Sequence, residues 1–237
     1  MLPVNCVEPE IDLKNNERIY RNQGNLPLVS LLDPCCKRVL DIGCGAGDNA
    51  KLIKSSHPAC EIYGVTQSAS EADIAQVYMK RCWVANVEQD LPEDLLSLTF
   101  DAILFSHVLE HLREPAEVLR RISRVLRVGG QVLIAVPNVL SWRMRFQFLK
   151  GDFQYQSAGV LDDTHLHFYT YLTAAQTLLG KTSDLKVILQ SVTGSVPLWL
   201  LRQFVLPGSL SRRIDDLGCR YFPNIFGVQV NIIAERL

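Results

Sequence analysis

The chain has 237 residues, 48% hydrophobic and 21% charged, with a formal net charge of −1. That composition excludes a disordered, collagen-like or coiled-coil chain and fits one globular domain at this length. Near-neutral charge offers no electrostatic drive toward nucleic acid, whose phosphates need a net basic face. No run of about 18 apolar residues is present to span a bilayer; Ser195–Leu210 comes nearest, broken by Arg202 and two prolines. The first residues show no basic leader with an apolar core, so a cytoplasmic location without a membrane span is expected. The seven cysteines are odd in number and form no CxxC pair. Reduced, buried thiols are the expectation, not a disulfide framework or a cysteine zinc site.

Residues 1–35 are polar, with Asn15, Asn16, Asn22 and Gly24 as breakers, and read as a lead-in around a short helix. Arg38–Gly43 is a short buried strand, Ala50–Ser55 a helix stopped before Pro58, and Glu61–Thr66 a second strand. Ser70–Lys80 reads as a second helix, with acids in its first turn. Arg81–Val87 and Phe100–His107 are the third and fourth strands. Pro115–Leu126 is an amphipathic helix with Val118, Leu119, Ile122, Val125 and Leu126 on one face, ended by Gly129-Gly130. Gln131–Pro137 is a fifth strand, Thr173–Leu179 a helix, Leu185–Val192 a sixth strand and Gly227–Ala234 a seventh. Alternating helices and continuous apolar strands mean an α/β fold, with a mostly parallel sheet covered on both faces. Residues 139–170 and 193–222 interrupt the alternation and read as insertions within the one domain, 1–237.

Asp41-Ile42-Gly43-Cys44-Gly45-Ala46-Gly47-Asp48 joins the first strand to the first helix. Glycines there let the backbone turn sharply beside a ligand at the carboxyl edge of the sheet; the bland alternative is a tight turn with no ligand. A dinucleotide fingerprint needs a third glycine where Asp48 stands, and no Walker lysine follows, so an NAD-dependent oxidoreductase is disfavoured.

Val39–Gly47 resembles motif I of the Rossmann-like (class I) S-adenosylmethionine-dependent methyltransferases. Phe100–Ser106 is similar to that family's fourth-strand motif. Val108-Leu109-Glu110-His111-Leu112 is similar to the VLEHL of its ubiquinone-methylase-like subgroup. Leu126–Gly130, Asp162–Thr170 and Phe226–Val230 resemble further segments of that subgroup, and the likeness runs over roughly residues 20–235. The resemblance implies a doubly wound seven-stranded sheet of order 3-2-1-4-5-7-6, strand 7 antiparallel, with S-adenosylmethionine as cofactor and S-adenosylhomocysteine as product. It implies that Asp41, Gly43, Cys44 and Gly45 form the cofactor loop. Thr66 and Gln67 would face the ribose, Asn86 and Val87 the adenine, and Ser106 and His107 the methionine and methyl group. Many members end strand two with an acid that holds both ribose hydroxyls; here the string is Gly64-Val65-Thr66-Gln67-Ser68, also similar to the cyclopropane-fatty-acid-synthase group. Thr66 and Gln67 offer only neutral hydrogen bonds in its place.

Four of the five histidines fall in two clusters, His107 with His111 and His165 with His167. Methyl transfer is an in-line displacement whose acceptor often has to lose a proton, a task that suits histidine. His111 or His165 is the expected base, with Glu110 orienting a partner and His107 beside the methyl; the bland reading has Glu110 and His111 simply opening a turn. His107, Glu110 and His111 at i, i+3 and i+4 suggest one face of a helical turn that, with His165, offers a divalent-metal ligand set. The same residues spell H-x-x-E-H, an inverted zinc-peptidase motif, but that motif needs a long helix and this string follows an apolar strand.

The aromatics after residue 140, among them Trp142, Phe146, Phe153, Tyr155, Phe168, Trp199, Phe204 and Tyr221, suit a lid over an aromatic or hydrophobic small-molecule acceptor, or a second small core. The reading is therefore an O- or N-methyltransferase of a small, specialised metabolite. Its alternatives are a non-catalytic cofactor-binding module and a metal-assisted methyltransferase.

Overall fold

The computed structural model describes residues 10–12, 17–19, 23–89, 91–197 and 207–237. A short antiparallel pair, β1 (Glu10–Asp12) with β2 (Glu17–Ile19), precedes the main sheet and was not foreseen. The main sheet holds β3 (Arg38–Ile42), β4 (Glu61–Thr66), β5 (Arg81–Val84), β6 (Phe100–Ser106), β7 (Leu126–Pro137), β8 (Leu185–Gly194) and β9 (Gly227–Arg236). Their order is β5-β4-β3-β6-β7-β9-β8, with β9 antiparallel to both neighbours. Numbered within the sheet, this is the expected 3-2-1-4-5-7-6.

Strand side chains alternate between two faces, and both are buried. Leu40, Ile42, Ile103, Phe105, Ile134 and Val136 pack on one side with α5 (Pro115–Ile122) and α7 (Ala174–Leu179). Val39, Ile62, Ala102, Leu104, Leu133 and Ala135 pack on the other against α1 (Leu26–Val29), α2 (Asp48–Ser56) and the end of α3 (Ala69–Ala75). Val118, Leu119 and Ile122 of α5 are 0–3% exposed, each burial stabilising by about 1.5–3 kcal/mol.

Several boundaries differ from the expectation. Helix α3 stops at Ala75 because the chain tightens into i→i+3 bonds, Tyr78 N–H to Ala75 O among them, before Lys80 N–H joins Ile62 O. Strand β5 ends at Val84, and after one more bond to β4, Ala85 N–H to Thr66 O, the chain turns at Asn86–Gln89, with α4 (Glu93–Leu96) following. Helix α5 ends at Ile122 in a 3-10 turn, Ser123–Val125; Gly129-Gly130 does not stop it but lies inside β7, where the pairing with β6 shifts register between Phe100 and Ala102. The two irregular stretches contain α6 (Trp142–Leu149) and α8 (Gly208–Tyr221), with α9 (Pro223–Phe226) leading into β9. Trp199 and Phe204 lie outside the described residues. Among the described helices none is long and apolar enough to cross a membrane.

Candidate active site

The carboxyl ends of β3, β4 and β6 converge where the first crossover reverses, the position at which open α/β sheets bind ligands. Gly43, Gly45 and Gly47 have φ of 67°, 50° and 87°, a left-handed backbone that glycine adopts without penalty. A Cβ on Gly43 would lie 2.4 Å from Val108 Cγ2, so the loop also closes against the turn after β6. Asp41 is fully buried, and neither carboxylate oxygen has a partner at hydrogen-bonding geometry. Burial pushes its pKa up to about 7, with the Asn49 amide drawing it back only in part. Such an unsatisfied acid is costly and suits a cationic or N–H-bearing ligand group.

A cavity of about 520 Å³ opens past the ends of β4 and β5, lined by Gln67, Val84, Ala85, Asn86, Gln89, Leu91 and Pro92. Gln67 and Asn86 thus line one cavity together. The Asn86 side-chain carbonyl accepts from Glu88 N–H at 2.9 Å, which uses one of its two lone pairs. The side chains of Val87 and Cys44 are both buried. Val87 packs in the core and its carbonyl accepts from Arg121, so its backbone N–H is the group it could offer a ligand. Cys44 Sγ lies 3.5 Å from Cys82 Sγ. Thr66 is buried and donates to Glu71 Oε2 at 2.6 Å. Glu71, on the first turn of α3, brings to the end of β4 the carboxylate that the string Thr66-Gln67 lacks. Sequence reading missed it because the acid is displaced by five residues; the signal available was the Ser68 N-cap, which accepts from Glu71 N–H at 3.3 Å and folds that turn back on the strand.

The second cluster lies beyond β6. Glu110 and His111 occupy a 3-10 turn, Leu109–His111, that is too short for the peptidase motif. Glu110 is fully buried, and its backbone oxygen accepts from Leu166 and His167 N–H at 2.8 and 3.1 Å, tying the turn to the insertion. His111 and His165 stack edge to face with ring centroids 4.7 Å apart. Glu110, His111 and His165 each present a donor atom within 4.8 Å of the others. His107 does not join that set, and it is not on a shared helical face. It lies before the turn with φ of 56°, its Nδ1 3.2 Å from Glu110 Oε1 and its Nε2 2.8 Å from Gln229 Oε1. His167 points elsewhere, to Arg113 O at 3.2 Å.

Hydrogen bonds define the tautomers. Thr164 Oγ1 donates to Asp162 Oδ1 at 2.5 Å and so accepts from His111 Nδ1 at 2.9 Å. His165 Nδ1 lies 3.1 Å from Val160 O, a pure acceptor, and therefore carries its proton. In the neutral form of either ring the lone pair is then on Nε2, and His165 Nε2 lies 4.0 Å from Glu110 Oε1. Burial, with His111 adding to it against Glu110, lowers the His165 pKa and keeps that ring neutral. Burial works against charge on both His107 and Glu110, but their mutual contact outweighs it: His107 is raised and Glu110 lowered. Glu110 Oε2 and Tyr169 Oη are both buried without a partner.

The methyltransferase-domain family matches residues 15–188. A ubiquinone biosynthesis O-methyltransferase of Neisseria meningitidis is 28% identical over 111 residues, 45% of this chain and 46% of that protein. The matched region thus spans less than half the length of that curated relative. A SAM dependent methyltransferase from Archaeoglobus fulgidus superposes with a TM-score of 0.55 at 22% identity, covering 86% of this chain and 87% of that one. The plantazolicin methyltransferase BpumL, solved in complex with a pentazolic desmethylPZN analog and SAH, superposes at 0.54 with 15% identity over 85% of this chain and 77% of its own. These two likenesses establish the fold. Because the family match takes in most of the chain, and the sheet has the order that the resemblance implied, the chain belongs to the methyltransferase-domain family.

Proposed function

We propose that this protein transfers a methyl group from S-adenosylmethionine to an oxygen or nitrogen of a small-molecule acceptor. The observation that carries the reading is the cluster of Glu110, His111 and His165, with donor atoms within 4.8 Å of one another, on the turn after β6 whose Val108 abuts Gly43 of the glycine loop. The cofactor fits the chain's own groups: the unsatisfied Asp41 carboxylate suits the amino group of the methionine moiety, and the Glu71–Thr66 pair suits the ribose hydroxyls. The cavity at Gln67 and Asn86 suits a flat base. His111, half-buried where His165 is deeply buried, is the better placed of the two to meet an acceptor and take its proton. His165 and Thr164 hold its ring in place. Exposed aromatics of the insertion, Phe146, Phe153 and Tyr155, supply an apolar surface for the acceptor.

Calorimetric titration with S-adenosylhomocysteine tests the cofactor, and turnover on a panel of phenols and amines tests the chemistry. His111→Ala is expected to lower turnover by about 10²–10⁴-fold without abolishing cofactor binding. Unchanged turnover would remove His111 as the base, and binding with no turnover on any acceptor would favour the non-catalytic module.

A second reading uses the same donors. Two imidazole nitrogens, the Glu110 carboxylate and its unpartnered buried Oε2 fit a divalent cation. Such an ion would polarise and orient an acceptor oxygen. Metal analysis of protein purified without chelator tests it: stoichiometric metal that is lost in His165→Ala supports the ion.

A further inference from the structure

We infer that Gln229, on the last strand, is a positioning residue for this site: it holds the His107 ring as an Nε2–H donor, so that His107 orients Glu110 and is not itself a base. The inference rests on the methyltransferase reading for its purpose, but its geometry stands alone. Gln229 is 1% exposed and faces Asn25, His107 and Asn231 from β9. An uncharged amide buried in a sheet is costly unless every polar atom finds a partner, and this one does.

The direction of each bond follows from one backbone group. Leu28 N–H can only donate, and it donates to Asn25 Oδ1 at 3.2 Å, which caps α1. The Asn25 oxygen is thereby identified, so the Gln229 atom 3.1 Å away must be the Nε2 amide. That assignment agrees with the 2.6 Å bond from Gln229 Nε2 to Asn231 Oδ1. Gln229 Oε1 then faces His107 Nε2 at 2.8 Å, and this nitrogen must carry a proton. The other ring nitrogen meets Glu110 Oε1 at 3.2 Å. Whichever of that pair holds the proton, neither nitrogen of His107 offers a free lone pair to an acceptor. A histidine with φ of 56° is strained, by roughly 1–2 kcal/mol, and is retained where surrounding bonds over-determine it. Here Gln229, Glu110 and the bond from His107 N–H to Ala135 O do so.

The same chain orients a second group. Asn25 Nδ2 donates to Ser106 Oγ at 3.1 Å, so the Ser106 proton is directed elsewhere, available to an acceptor on the bound cofactor. At its other end the chain runs through Asn231 Nδ2 to Thr193 Oγ1 at 2.9 Å on the edge strand.

Long-range proton–nitrogen NMR of the histidine rings, on the full chain, tests the assignment. The wild type is expected to show His107 with a protonated, slowly exchanging Nε2. Gln229→Met should lose that signal, move the His111 and His165 ring nitrogens and weaken S-adenosylhomocysteine binding by about 3–10-fold. Thr193→Val, which breaks the far end of the chain, should leave the His107 signal in place. A bare His107 Nε2 in the wild type would overturn the inference even if Gln229→Met fails to fold. So would a folded Gln229→Met protein with all three rings unmoved, or a Thr193→Val protein that loses the His107 signal as Gln229→Met does. A wild type that shows the protonated Nε2 but binds no S-adenosylhomocysteine would overturn the methyltransferase reading and leave the ring assignment standing.

Discussion

Asp41 and Glu71 are two buried acids of opposite circumstance. Glu71 is held by a hydroxyl and a helix cap, whereas Asp41 has lost its water and gained little in return. With a folded pKa near 7 against an ordinary value of 3.8, Asp41 binds its proton more tightly in the fold than in the unfolded chain. Its contribution to stability is therefore complete below pH 3.8 and is lost as pH rises through 7, by up to about 4 kcal/mol. Asp41→Asn should remove that loss: thermal melts of the two proteins should diverge between pH 4 and 8, with the variant the more stable at pH 8. The same variant should bind S-adenosylhomocysteine more weakly, because the carboxylate suited to its amino group is gone. Glu71→Ala should weaken S-adenosylhomocysteine by about 10–100-fold, the value of one or two charge-assisted bonds, with Glu71→Gln in between. Calorimetry on both variants checks this. Asp41 was legible in the sequence from its place in the glycine motif. Glu71 was not, because its role depends on the first turn of α3 folding back over β4.

At the scale of elements, the glycine loop is shaped as much by its neighbour as by its ligand. Gly43→Ala meets Val108 Cγ2 at 2.4 Å with φ at 67°. It should cost about 2–4 kcal/mol in chemical denaturation, from left-handed strain and overpacking together. Adding Val108→Ala should relieve the overpacking but not the strain, so partial recovery is expected and full recovery would show the backbone to be relaxed. Gly64 shows a related constraint on β4, where a Cβ would lie 2.4 Å from Met79 Sδ and 2.7 Å from Cys44 Sγ. Helix and strand interiors were legible because apolar periodicity is local: Glu61–Thr66 emerges with the boundaries it was assigned. Helix ends were less so. Gly129-Gly130 looked like a stop, but the helix closes earlier because Leu126 already pairs with Phe100 in the sheet.

On the scale of the whole molecule, β9 is the element on which both the sheet and the site depend. It is inserted between β7 and β8, pairs with both along most of its length, and brings Gln229 and Asn231 to the carboxyl edge. A chain ending at Phe226 would leave β8 without a partner and expose the apolar flank of β7. It should show no cooperative thermal transition, and circular dichroism on heating checks this. The strand is antiparallel, and that reversal sets which of its residues reach the site: Gln229 comes opposite Pro137 and Thr193.

By itself the sequence determined the alternation of strands and helices, the glycine loop, the sheet class and the family, because each is written in short-range periodicity or in residues adjacent along the chain. Tertiary structure decided which polar groups meet. His107 finds Gln229 across 122 positions and His111 finds Thr164 across 53. It also removed His107 from the helical set that its spacing with Glu110 and His111 suggested, by placing it in a left-handed turn before them. Such pairings follow from where loops converge once the sheet has closed, and a buried donor will take whichever acceptor that convergence supplies.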